Sequence, residues 1–130
     1  MTMQRLTTET EAEEFLSQPG LALIFKHSTR CNISHEALSE VQAFSAKAPA
    51  ARIGLVLVVE DRPVSNSLTS RLDLPHQSPQ AILIAEGAPV WSASHWEITS
   101  DSLAKAWSHQ GSSPPSDRGA ANGPKSSGIG

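Results

Sequence analysis

Apolar and polar positions fall along this chain in blocks whose period changes from one block to the next. From Thr8 to Ser17, Ala12, Phe15 and Leu16 share one face, acidic residues come early and Pro19-Gly20 closes the block, which predicts a short helix. Leu21 to Phe25 is a continuous apolar run, the pattern of a strand buried on both faces. Between Asn32 and Ala48 the positions Ile33, Ala37, Leu38, Val41, Phe44 and Ala48 keep helical spacing, and Pro49 ends it. Ile53 to Val59 reads as a second buried strand. Pro63 suits the first turn of a helix running to about Leu72. Ala81 to Ala85 is a third strand, Glu86-Gly87 a tight turn, and Val90 to Ser92 the returning strand of a hairpin. Thr99 or Ser100 can cap a last helix with Leu103, Ala106 and Trp107 inward.

The order α-β-α-β-α-β-β-α restricts the topology. A strand, helix, strand crossover makes the first two strands parallel with right-handed connection, and the closing hairpin adds antiparallel strands. The expected α/β architecture is a mixed four-stranded sheet with helices on both faces, which is the thioredoxin-like arrangement. After Gln110 the composition changes: 13 of the 20 residues from 111 to 130 are Gly, Ser or Pro. Such a stretch buries too little to offset its ordering entropy, so residues 1–110 are expected to form one domain and 111–130 a disordered tail.

Composition narrows the function classes. With 38% apolar residues, 18% charged residues and a formal charge of −3, the chain lacks the basic field that holds a phosphate backbone. Nucleic acid is not an expected partner. One cysteine permits no internal disulfide, which argues against a disulfide-stapled secreted fold. Met1 to Phe15 has no apolar core of the signal-peptide kind, and the longest apolar run, Ile53 to Val59, is far short of the roughly 20 residues that span a bilayer. A cytoplasmic protein, monomeric and without membrane association, is expected.

The informative chemistry is Lys26-His27-Ser28-Thr29-Arg30-Cys31-Asn32-Ile33-Ser34, which joins the first buried strand to the long helix. Ligands of open α/β sheets collect at the carboxyl ends of strands. Free amides at a helix start favour a thiolate, and Lys26 and Arg30, with His27 and His35 when protonated, add positive charge, while Glu36 opposes them weakly. Cys31 is therefore the expected nucleophile. Cys31-Asn32-Ile33-Ser34 is a C-x-x-S arrangement, and Ser34 stands where a C-x-x-C oxidoreductase carries its resolving thiol. A hydroxyl cannot resolve a mixed disulfide, although it can donate a hydrogen bond to a thiolate. An external thiol must release Cys31. A lone cysteine is otherwise usually an inert, buried small hydrophobe.

The segment Phe25 to Ser34 resembles the active-site segment of the monothiol bacilliredoxins of the YtxJ type. The blocks Val59 to Asn66, His76 to Gln80 and Trp91 to Thr99 resemble the same family, so the likeness spans about residues 20–107. It implies a thioredoxin fold and removal of bacillithiol from S-bacillithiolated proteins, with Cys31 as nucleophile, bacillithiol as co-substrate and no bound cofactor. It also matches Pro79 to the cis-proline opposite the cysteine, where a cis Ser78-Pro79 bond turns backbone groups toward substrate. One departure is Asn32, since the family usually has proline there; Asn32 restores an amide donor that can reach the thiolate or cap the helix.

Lys26, Asn32, Ser78 and Pro79 are thus the expected substrate-binding residues, with Cys31 and Ser34 catalytic. Asp61 with Arg62 reads as the cap of the third helix, with a ligand carboxylate as the other partner open to Arg62. His95, Trp91 and Trp96 read as packing at the hairpin end. His27, His35 and Cys31 lack a fourth ligand and paired spacing, so no metal site is expected. The competing function is a non-catalytic thioredoxin-like adaptor that binds a partner protein, in which Cys31 is unreactive. Cluster binding, as in some monothiol glutaredoxins, goes with a glycine-phenylalanine pair where this chain has Asn32-Ile33.

Overall fold

A computed structural model describes residues 3–111. The elements in chain order are β1 (Met3–Arg5), α1 (Glu9–Ser17), β2 (Leu21–His27), α2 (Asn32–Lys47), β3 (Arg52–Leu57), α3 (Arg62–Leu72), β4 (Gln80–Ala85), β5 (Ala88–Ser94), a 3-10 turn (His95–Glu97) and α4 (Ser100–Gly111). The expected tail lies outside the described residues apart from Gly111, which ends α4. Among the described residues no helix is long and apolar enough to cross a membrane.

The sheet has five strands in the order β1-β3-β2-β4-β5, one more than the four expected. The addition is β1, which pairs parallel with β3 from Met3↔Ile53 to Arg5↔Leu55. Three residues carry no readable alternation, and this strand is fixed by backbone pairing and by Leu6, which follows it and is fully buried. Leu6 donates its amide to the Leu55 carbonyl at 2.8 Å.

β2 is the central strand, parallel to β3 and antiparallel to β4. Its alternation divides two cores. Ala22 and Ile24 pack with α1 and α3 against Phe15, Val64 and Leu68. Leu23 and Phe25 pack with α2 and α4 against Val41, Phe44 and Leu103. Each large apolar side chain buried this way contributes about 1.5–3 kcal/mol. Gly54 of β3 makes room for this arrangement, because a Cβ there would lie 2.9 Å from Leu6 Cδ1 and 3.2 Å from the Phe15 ring.

Helix starts follow local chemistry with one correction. The Glu11 amide donates to Thr8 Oγ1 at 3.0 Å, and the Ser102 amide donates to Thr99 Oγ1 at 3.0 Å, so Thr8 and Thr99 cap α1 and α4. Asp61 occupies the N-cap position of α3, but its carboxylate makes no capping bond. It accepts from Arg5 Nε at 3.1 Å and Nη2 at 3.0 Å, and thereby ties β1 to the start of α3. The β4–β5 turn uses two consecutive left-handed residues, Glu86 (φ 52°) and Gly87 (φ 79°), the conformation that matches strand twist in tight hairpins. Glu86 also accepts the Gly20 amide at 2.7 Å on Oε2 and returns its own amide to the Gly20 carbonyl. β5 carries Pro89, and its pairing with β4 shifts register between Leu83 and Ile84.

Candidate active site

β2 continues two residues past the apolar run, through Lys26 and His27, and both are almost fully buried. The chain then turns through Ser28, Thr29 and Arg30, and Cys31 is the N-cap of α2. The free thiol is half-buried and makes no capping hydrogen bond of its own. It lies where the first-turn amides of α2 have no intrahelical partners. Three groups tie this loop down. The Ser28 amide donates to Ser34 Oγ at 2.8 Å, the His35 Nε2–H donates to the Thr29 carbonyl at 2.9 Å, and Thr29 Oγ1 donates to Glu60 at 3.0 Å. Bonds from its own amide and from Thr29 hold the Glu60 carboxyl below the usual carboxylate range.

Ser34 differs from its expected role. Its hydroxyl is fully buried and lies 2.7 Å from His27 Nδ1 as well as accepting the Ser28 amide, so its hydrogen-bond partners are the loop and His27 rather than Cys31. Ser34 acts as a buttress under the loop. His27 stacks on Phe25 (5.6 Å between centroids) and meets the His35 ring edge-on at 5.4 Å. Burial, and then the nearby His35, push the His27 imidazole below its ordinary value. It is a neutral wall behind the loop, not a cation beside the sulfur.

Lys26 also departs from expectation. Strand alternation sends it to the α1/α3 face, where Nζ donates to Thr69 Oγ1 at 3.1 Å and lies 2.8 Å from His76 Nδ1. Burial pushes its amine down to about 8. His76 is likewise pushed down by burial, then by Lys26 and Arg62. A residue adjacent to His27 in sequence thus serves the opposite layer, and Lys26 braces the loop that leads to Pro79 from beneath. Asn32 is the first residue of α2 and exposed; the cap position belongs to Cys31, so Asn32 does not cap the helix.

The Ser78-Pro79 bond is cis. Pro79 stands one step beyond the pairing Lys26↔Gln80, which places it beside the end of β2 and the Cys31 loop. Its carbonyl accepts the His95 amide at 3.1 Å. Ser78 Oγ is buried without a hydrogen-bond partner among the described residues. Of the residues expected at the site, the fold brings Cys31, Asn32, Ser34, Ser78 and Pro79 to this one end of the sheet and turns Lys26 to the layer below.

Sequence reasoning missed His27 and His35 as loop supports. The available signal was parity: His27 lies two residues beyond buried Phe25 on the same strand face. Trp96 also differs. Trp91 packs against the α2/α4 core as expected, whereas Trp96 stands 68% exposed.

Residues 4–103 match the family described as monothiol bacilliredoxin BrxC. The chain belongs to the monothiol bacilliredoxin family. Its fold agrees with solved structures. A candidate oxidoreductase with a thioredoxin fold is 26% identical with a TM-score of 0.76, covering 81% of this chain and 93% of that one. Fasciola hepatica thioredoxin is 16% identical, with a TM-score of 0.68 over 82% of this chain and 98% of that one. Thioredoxin O2 from Arabidopsis thaliana is 15% identical, with a TM-score of 0.68 over 83% and 93%. Family and fold together make this bacilliredoxin a redox thiol protein with a thioredoxin-like architecture.

Proposed function

We propose that this protein removes bacillithiol from S-bacillithiolated proteins by thiol–disulfide exchange through Cys31. The observation that carries the reading is one half-exposed thiol at the N-cap of α2, with a buried serine at the position of a second thiol. The Cys31 thiolate attacks the bacillithiol sulfur of the protein mixed disulfide. That disulfide breaks, a disulfide forms between Cys31 and bacillithiol, and the electron pair leaves on the protein thiolate, which takes up a proton. Ser34 has no sulfur with which to expel bacillithiol. A second bacillithiol molecule attacks the adduct, leaves as bacillithiol disulfide and returns Cys31 to the thiol. The numbers of disulfides and protons are conserved in each step. Asn32 and the Ser78-Pro79 backbone border the bound disulfide; the chain acts as a monomer with bacillithiol as co-substrate and no resident cofactor.

Mixing the reduced protein with bacillithiol disulfide tests this directly. Mass spectrometry should show one bacillithiol adduct on Cys31, and Cys31→Ala should abolish release of bacillithiol from a modified protein. Release that survives in Cys31→Ala, or a wild-type thiol that forms no adduct, refutes the reading. The adaptor reading instead expects a Cys31 that resists thiol-specific alkylation near neutral pH.

A further inference from the structure

The segment that joins α3 to β4, residues 73–79, lies outside helix and strand, and its members Pro75, His76 and Gln77 are exposed. Two buried polar side chains hold it. Gln80, 5% exposed, donates from Nε2 to the Pro75 carbonyl and accepts the Gln77 amide on Oε1, both at 3.3 Å. Lys26, 1% exposed, reaches His76 Nδ1 at 2.8 Å. Three consecutive loop residues are thus each tied to the sheet. On another flank the loop has little to lean on, since a hollow of about 210 Å³ is bordered by Pro75 and Gln77 and by Ser92 and Ser94 of β5.

Both holding side chains come from one place. Lys26 and Gln80 are partners in the β2–β4 register, and directly paired residues project to the same face. It is the face that carries Ile24 and Ile82 in the α1/α3 core. Burying an amide and an ammonium there costs free energy that their hydrogen bonds must offset. An apolar pair would fill the space without that cost, so the polar pair points to a task at the loop. The direction of the Lys26 bonds is fixed by its partners. Thr69 Oγ1 donates its proton to the Ser65 carbonyl at 3.1 Å and so accepts from Nζ, and an ammonium only donates, so His76 Nδ1 accepts as well. Lys26 therefore bridges the body of α3 to the loop.

We propose that Lys26 and Gln80 are positioning residues, a cross-strand pair that holds residues 75–77 and thereby sets the Ser78-Pro79 edge at which the protein disulfide is received. This rests on the reading that Cys31 attacks protein mixed disulfides with Ser78-Pro79 at their border. Both side chains act through the loop, from the layer opposite α2.

The test uses the full chain and a cysteine peptide linked to thionitrobenzoate. Attack by the Cys31 thiolate forms a disulfide with the peptide and expels the coloured aromatic thiolate, so the number of disulfides is conserved. A small symmetric aromatic disulfide, which has no peptide to place, reports on the thiol alone. Gln80→Met keeps the shape and removes two bonds, and His76→Ala removes the Lys26 acceptor at an exposed position, where the fold is not at risk. Each should raise the half-saturating peptide concentration by about two- to tenfold and leave the rate with the small disulfide unchanged. His76→Asn, which offers an acceptor near the place of Nδ1, should restore most of the wild-type value, and Lys26→Met should add little to His76→Ala. Peptide kinetics in Gln80→Met and His76→Ala that match wild type, or a loss that is equal with both disulfides, overturn the proposal, as does a wild type that the peptide does not saturate. Release of bacillithiol from a modified protein is measured separately: its absence in a wild type that handles the peptide normally refutes the bacillithiol reading and leaves the positioning result standing.

Discussion

Lys26 and His27 are neighbours in sequence and equally buried, yet they belong to different halves of the molecule. His27 faces α2, where it supports Ser34 and the loop that carries the thiol. Lys26 faces α3, where Thr69 and His76 receive its ammonium. In a strand, one step of sequence is a change of layer. Proximity of charge along a chain is therefore a poor guide to the field at a sulfur when the charge sits in a buried strand. The cation beside Cys31 in sequence that stays near it in space is Arg30, which is in the loop.

Substitutions test this division, beginning with the largest effect. Phe25→Ala removes a fully buried ring from the α2 face and the surface against which His27 stacks, and should lower the unfolding free energy by about 3–5 kcal/mol in a denaturant titration. A loss near zero would mean the wall behind the loop bears little of the core. Ser34→Ala leaves His27 Nδ1 and the Ser28 amide without their partner and should reduce stability by about 1–3 kcal/mol. If Ser34→Ala instead melts like wild type, the buttress assignment is wrong and the hydroxyl is free for another role.

The smallest effect at neutral pH belongs to Lys26→Met, and its signature is a slope. The folded Lys26 amine titrates at about 8 against about 10.4 in an unfolded chain. Between those values the unfolded state binds more protons, so wild-type stability should gain from Lys26 as pH rises from about 8 to 10.4. Lys26→Met should lack this contribution. A difference between the two proteins that stays constant from pH 7 to 10 would show that the amine keeps its proton in the fold. On the other face the lowered His27 value has the same sign in a lower window, and stability falls as pH drops through about 6.5.

Much of this was legible in the sequence because the long elements carry strong periods. α2 appears over Asn32–Lys47 where Ile33, Ala37, Val41 and Phe44 predicted it, and α3 begins beside Pro63. What was illegible had physical reasons. β1 is held by pairing to Ile53, Gly54 and Leu55, and three residues with two exposed show no pattern. Lys26 read as a cation near the thiol and a substrate-binding residue because polar residues usually mark the end of a strand; here the strand runs on, and Thr69 and His76, more than 40 residues away, make its burial tolerable. Asp61 read as a helix cap because Arg5, its partner, is remote in sequence. Cys31 was readable at the helix start, whereas the inward bond of Ser34 depends on His27, whose direction only strand parity reveals.

The two borders of the sheet have a consequence of their own. On one side stands β1, only three residues long. On the other, β5 contains Pro89, which lacks an amide hydrogen, and a shift of register beside Ile84. An incoming strand templates on a long row of donors and acceptors, and among the described residues one border is three residues long and the other is interrupted near its start. Among the described residues the borders of the sheet are shortened and interrupted, which disfavours pairing between copies of this chain through shared backbone ladders.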